Sequence, residues 1–316
     1  MGMEPVFNIV LPVFAIVLCG YLSGKFGILG SDSSESLNRF VFYIALPVLL
    51  FHSMGVMRPD EIFHIPFILT YAVTLAIILA IGIAIAFFIF GERLTESTLH
   101  GMTGVYGNSN YMAIPLFLTA FGPDSVSAPI VATIVNVIVI LTISIVLVET
   151  AAKMDGGGGN ILMDIAMSLL KNPLFMSPLL GIAWSFSGMK FADPFNTFSG
   201  LLGGAAGPCA LFAMGLFLVG KPLHEDIVEI SSMVVVKLLI MPLVAWGVTL
   251  WLLPDDPVWS MYVIILAAVP TGMTPFVMAQ QWNVYVRRVS TAILATTLVS
   301  VISLSILFSI WSEHVL

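Results

Sequence analysis

Charge is scarce in this chain. Asp, Glu, Lys and Arg together make up 9% of its 316 residues, where a soluble globular chain carries about a quarter. Cysteine is nearly absent: Cys19 and Cys209 both sit in apolar runs, so nothing indicates a disulfide framework. The histidines His52, His64, His100, His224 and His314 follow no HExxH or related ligand spacing, and no metal site is expected. No cysteine or serine stands beside a plausible base, and no aspartate pair lies inside an apolar run, so no catalytic residue and no cofactor are expected. The net charge of −7 is scattered over loops, which argues against a nucleic-acid partner.

Acid is missing where a coupled transporter usually keeps it. Neither Asp nor Glu falls at the centre of an apolar stretch, and Glu149 and Asp164 lie near ends. Buried carboxylates are the usual proton or cation relays. A coupling ion, H+ or Na+, would be left to neutral ligands, backbone carbonyls, His52 or Lys237, and its identity stays open. His52 reads as a packed, hydrogen-bonded histidine in preference to a relay. Lys237 reads as a side chain snorkelling to the interface, with anion attraction or coupling as the second reading.

What the chain does have is apolar length. Hydrophobic residues make up 59% and the mean hydropathy is +1.06. Stretches of about membrane-spanning length follow one another near 5–24, 37–55, 66–90, 98–121, 126–149, 172–188, 197–220, 228–253, 257–281 and 286–311. The first is preceded by Glu4 and not by basic residues, so it is expected to be a retained helix and not a cleaved signal. The fold class expected is an all-α membrane protein of about ten transmembrane helices.

The run Asp155 to Asn160, with glycine at 156–159, has linker composition and separates five stretches from five. We expect a first five-helix repeat over 1–150, a central cytoplasmic linker over 151–171 and a second repeat over 172–316. Leu46-Pro47 answers Gly207-Pro208 at an offset of 161, Met57–Ile62 resembles Lys221–Ile227, and Pro115 answers Pro275 at an offset of 160. An odd number of spans per half makes such repeats inverted. With both termini extracytoplasmic, the cytoplasmic side receives Lys25, Arg39, Arg93, Lys153, Lys171, Lys221, Arg287 and Arg288, against Arg58 and Lys190 outside. That is the expected positive-inside bias.

Two apolar segments are broken by proline and polar residues: YGNSNYMAIPLF (Tyr106–Phe117) and AAVPTGMTPFVMAQQ (Ala267–Gln281). In the first, Asn108, Ser109 and Asn110 precede Pro115, and the helix is expected to kink or unwind there. In the second, Pro270, Thr271, Gly272, Thr274 and Pro275 relax the backbone. Two readings stay open for each. The polar residues are either interhelical contacts at packed interfaces or a site lined by freed backbone groups. If the segments cross at mid-membrane, half-helix N-termini aim partial positive charge at the crossing. Such a place suits an anion, a carboxylate above all.

LNRFVFYIALPVLLFH (Leu37–His52), GNSNYMAIPL (Gly107–Leu116) and AAVPTGMTPFVMAQQWN (Ala267–Asn283) resemble the auxin efflux carrier family in its short bacterial form, along the whole chain. The resemblance implies crossed, broken helices four and nine, a fold shared with bile-acid:sodium symporters and sodium/proton antiporters, and elevator motion of a transport part against a scaffold part. It makes Asn108 the substrate-contacting asparagine, Pro115 and Pro275 the crossover prolines, and Asn136 a second site asparagine. Bacterial relatives are associated with small carboxylates such as malonate and malate, plant relatives with auxin. The function expected is a secondary transporter of a small organic anion in the cell's inner (plasma) membrane. The alternatives are a passive anion channel or a sensor that binds a carboxylate without transport, the latter ranked lower because no cytosolic domain follows Leu316 in this sequence. Partners expected are the anion and the lipid bilayer, with a homodimer left open.

Overall fold

Helices form where the apolar stretches predict them. The computed structural model describes residues 11–58, 63–154, 170, 171, 173–220 and 226–311. The glycine linker, the 221–225 stretch and both chain termini lie outside the described residues. The helices are α1 (Leu11–Lys25), α2 (Asp32–Val56), α3 (Ile65–Ile89), α4 (Leu94–Val105), α5 (Ile114–Phe121) and α6 (Pro123–Val148, helical on to Met154). After the linker come α7 (Pro173–Phe186), α8 (Asp193–Phe217), α9 (Ile227–Leu252), α10 (Pro257–Ala268), α11 (Thr274–Trp282) and α12 (Val286–Trp311). Of these, α2, α3, α6, α8, α9 and α12 are long and apolar enough to cross a membrane, while α1, α7 and α10 are shorter apolar helices. A helix satisfies its own backbone, which is what a chain without water around it requires.

Among the described residues five helical stretches widen into π turns: Val41–Ala45, Ile85–Ile89, Ser109–Ala113, Asn136–Leu141 and Val236–Ile240. Three of them run into a proline at the second residue of the helix that follows, Pro47, Pro115 and Pro242. Proline lacks an N–H and its ring crowds the carbonyl one turn back. A wide turn moves that carbonyl aside without ending the helix.

The backbone divides into two compact units, and each draws on both halves of the chain. The first comprises 1–64, 109–133 and 169–220. Here α1 lies directly on the second half of α8. An added Cβ at Gly20 would strike the Phe212 carbonyl oxygen, and one at Gly215 would strike that of Val17. Small residues bring two backbones into this contact where burial from water is not available as a drive. Against α2, Trp184 stacks on Phe191 with centroids 4.9 Å apart. His52 Nε2 lies 2.9 Å from Asn196 Oδ1, its ring beside Phe191, which is the packed histidine expected from sequence.

The second unit comprises 65–108, 134–168 and 221–316. An added Cβ at Gly82 in α3 would fall 2.6 Å from Gly101 Cα in α4, so these helices also touch through backbone. At one edge Arg288 holds three carboxylates: Glu92 Oε1 at 2.8 Å, Asp226 Oδ2 at 2.7 Å and Glu229 Oε2 at 2.7 Å. Its guanidinium lies 4.5 Å from the Tyr285 ring centroid. The hydrogen bond from Arg288 holds the Asp226 carboxyl below its ordinary value, and burial raises the Tyr285 phenol. One residue thereby ties the α3–α4 connection to the starts of α9 and α12.

Candidate functional site

The end of α10 shows what proline does to a helix. Its start is capped by Asp256, whose Oδ1 accepts from Trp259 N at 3.1 Å. At its end, Val269 N still donates to Ile265 O at 3.1 Å. Pro270 then has no N–H for Leu266 O. Thr271 N turns away from the helix and donates to Thr296 Oγ1 at 3.2 Å. Two carbonyls of the last turn are therefore released. One of them, Ala267 O, accepts from Lys237 Nζ at 2.9 Å.

The end of α4 meets this break. Tyr106 N closes the last turn on Met102 O at 2.9 Å, and the chain becomes extended at Tyr106 (φ −70, ψ 98). Gly107 stands opposite Thr271 in an antiparallel bridge. Asn108 N donates to Pro270 O at 2.8 Å and Gly272 N to Tyr106 O at 2.9 Å. Thr271 Oγ1 donates to Thr103 O at 2.9 Å, and the Tyr106 hydroxyl hydrogen-bonds the Thr274 side chain. Backbone groups released on both sides thus satisfy one another, as buried backbone must.

This pairing leaves little room for a side chain at two points, and the tighter of them is hemmed in by backbone. A Cβ on Gly272 would sit 3.1 Å from Gly107 O and 3.3 Å from Asn108 Cα, all of it backbone. A Cβ on Gly107 would sit 3.2 Å from Val269 Cγ2 and 3.4 Å from Lys237 Nζ. Asn108 is buried beside the pairing.

The structure brings Asn108 together with Pro270, Thr271 and Gly272, with Thr274 and Pro275 next in the chain at the start of α11. All belong to the second unit, as does Asn136. Asn136 is buried in a π turn and accepts from Tyr71 OH at 3.5 Å. Ser109, Asn110 and Pro115 belong to the first unit. There Thr133 Oγ1 donates to Asn110 Oδ1 at 2.6 Å, and the Pro115 ring packs at Gly207, whose added Cβ would lie 3.2 Å from it.

Two expectations need correction. The helix does not unwind at Pro115. It leaves helical geometry at Tyr106–Asn108, and Pro115, like Pro275, is the second residue of a new helix. Proline fits that position, since the first turn has no intrahelical use for its N–H. Lys237 does not snorkel. It is wholly buried in a π turn of α9, with Nζ on Ala267 O and on Met241 Sδ at 3.1 Å. Sequence reasoning missed Thr103, Tyr106 and Thr296 as partners of the break. A lone threonine in an apolar helix gives no signal, whereas the lone cation in mid-span did.

Residues 5–156 and 159–308 match the family described as membrane transport protein. A Rhizobium meliloti protein described as a candidate malonate transporter is 31% identical over 305 residues, covering 95% of this chain and 93% of its own. An uncharacterized transporter of Methanothermobacter thermautotrophicus is 26% identical over 298 residues, 93% of this chain and 95% of its own. Auxin efflux carrier component 2 of Arabidopsis thaliana is 31% identical over 151 residues, 44% of this chain and 22% of its own. The chain is a multi-pass membrane transport protein and belongs to the auxin efflux carrier family.

Proposed function

We propose that this chain is a secondary transporter that moves a small carboxylate across the membrane by elevator-type alternating access. The observation that carries the reading is the pairing of two interrupted helices at Gly107 and Thr271, with buried Asn108 beside it. Broken helices at corresponding places in two halves mark the substrate site in transporters built from inverted repeats. In this reading the repeats are 1–150 and 172–316, joined by a cytoplasmic linker over 151–171, with the termini extracytoplasmic in the inner membrane. The segments 98–121 and 257–281 are its crossed helices.

Asn108 donates its side-chain amide to the carboxylate, and the start of α11 at Thr274–Pro275 contributes partial positive charge. Pro270, Thr271 and Gly272 hold the geometry, and Asn136 belongs to the same unit. The unit that contains the pairing is the transport part. The name of the Rhizobium meliloti relative supports a malonate-like substrate; the plant relative's name supports an auxin-like one over less of the chain.

Counterflow of radiolabelled malonate in proteoliposomes tests the proposal. Saturable exchange, accelerated by unlabelled substrate on the far side, is the expected outcome. Flux that does not saturate would show a channel instead, and binding without flux a sensor. The absence of both binding and flux across a panel of mono- and dicarboxylates would end the carboxylate reading.

A further inference from the structure

Lys237 stands near the middle of α9, a helix long enough to cross a membrane, and is fully buried. Its partners are Ala267 O and Met241 Sδ. Among the described residues no carboxylate pairs with it. Burying a lone ammonium costs several kcal/mol, and contact with partial negative charge lowers that cost. Nζ meets such charge at a helix end. Ala267 O belongs to the last turn of α10, and the backbone N–H that a continuous helix would bring to it is spent on Thr296. Such orphan carbonyls carry the partial negative charge of a helix C-terminus.

In transporters with broken helices, carbonyl ends of this kind hold the coupling Na+ or H+. Here they hold an ammonium on a four-carbon tether. Gly107 supports the arrangement: an added Cβ there would already be 3.4 Å from Nζ, so the absence of a side chain leaves the cation against the paired segment. We propose that Lys237 is a built-in cation occupying the place that a coupling alkali ion would take at the end of α10. The anion is then bound beside a charge the protein carries itself, with no bound Na+. The anion's place rests on the function proposed above; the occupation of the carbonyl end does not.

Thermal unfolding of the purified protein in Na+, Li+, K+ and N-methyl-D-glucamine at one ionic strength tests this without any substrate. The wild type should show the same Tm in all four. Lys237→Ala vacates the position and should gain a saturable rise in Tm with Na+ or Li+. Should the alanine variant not fold, Lys237→Gln carries the same comparison. A saturable rise in the wild type would overturn the proposal, and so would a folded variant indifferent to all four cations. Failure of carboxylate transport would sink the functional reading and leave this comparison intact.

Discussion

Gly272→Ala isolates the pairing of the two broken helices. No positive φ is recorded at Gly272, so alanine can adopt the backbone and the effect is steric. The new methyl would stand 3.1 Å from Gly107 O and 3.3 Å from Asn108 Cα. Neither obstacle is a side-chain tip that can swing away, so the paired segments must separate by a few tenths of an ångström. The bonds at risk are Asn108 N to Pro270 O and Gly272 N to Tyr106 O, at 2.8 and 2.9 Å. Leaving a buried backbone group unsatisfied costs about 1–3 kcal/mol, which is about 5- to 150-fold in a binding constant that depends on the geometry. Gly107→Ala is the control. Its tightest neighbour is the rotatable Val269 Cγ2 at 3.2 Å, with the rest at 3.4 Å, so its cost should stay below about 1 kcal/mol. Malonate titration of the thermal shift in detergent reads both variants. The expected order is wild type, then Gly107→Ala, then Gly272→Ala well below. Equal affinity in all three would show that the pairing has no part in binding.

Three further outcomes are expected. Asn108→Ala should weaken carboxylate binding by about 1.5–3 kcal/mol, the worth of hydrogen bonds to a charged partner, and unchanged affinity in a monodisperse variant would remove Asn108 from the site. Pro115→Ala and Pro275→Ala should express and fold, since alanine favours helix, yet lose most proteoliposome uptake; wild-type uptake by both would make the prolines architectural only. Asp226 has its carboxyl held below the ordinary 3.8 by its hydrogen bond from Arg288, so its stabilising contribution is complete above pH 3.8 and is lost as pH falls through the lowered value. Asp226→Asn should therefore lower Tm at pH 7 and flatten the acid decline below pH 3.8, and a variant with the wild-type Tm profile would contradict this.

Helix placement was legible because each span is a long apolar run between polar breaks, as Ile65–Ile89 shows against the predicted 66–90. The start of α2 was not. Its first turns, SDSSESLN, are polar yet helical, and Ser34 is buried with Oγ donating to Ala213 O at 3.4 Å; an apolar-length criterion passes over them. Proline and glycine announced both breaks, and the second fell between Pro270 and Pro275 as expected. The first lies upstream of its proline, because a π turn over Ser109–Ala113 absorbs the missing donor. Long-range pairing had no sequence signature. Thr271 reaching Thr103, Lys237 reaching Ala267, and Arg288 gathering residues 92, 226 and 229 are facts of packing, which no local periodicity encodes.

The π turns carry a consequence for how this chain tolerates change. Upstream of Val236–Ile240 the buried residues of α9 are Ile230 and Met233; downstream they are Met241, Ala245 and Thr249. In an uninterrupted α-helix, at about 100° per residue, position 241 would be turned about 80° from position 233. With one residue absorbed in the wide turn it falls within about 20°, and the buried face continues. A wide turn is in that sense a stored insertion. Removing one residue there shortens the helix by about 1.5 Å and leaves the downstream faces where they were, whereas the same deletion in Met241–Leu252 would turn every later side chain by about 100°. Natural variants of this chain with single-residue gaps inside a span should carry those gaps at the wide turns flanked by helix on both sides, Val41–Ala45, Asn136–Leu141 and Val236–Ile240, and engineered deletions that preserve insertion should cluster there too.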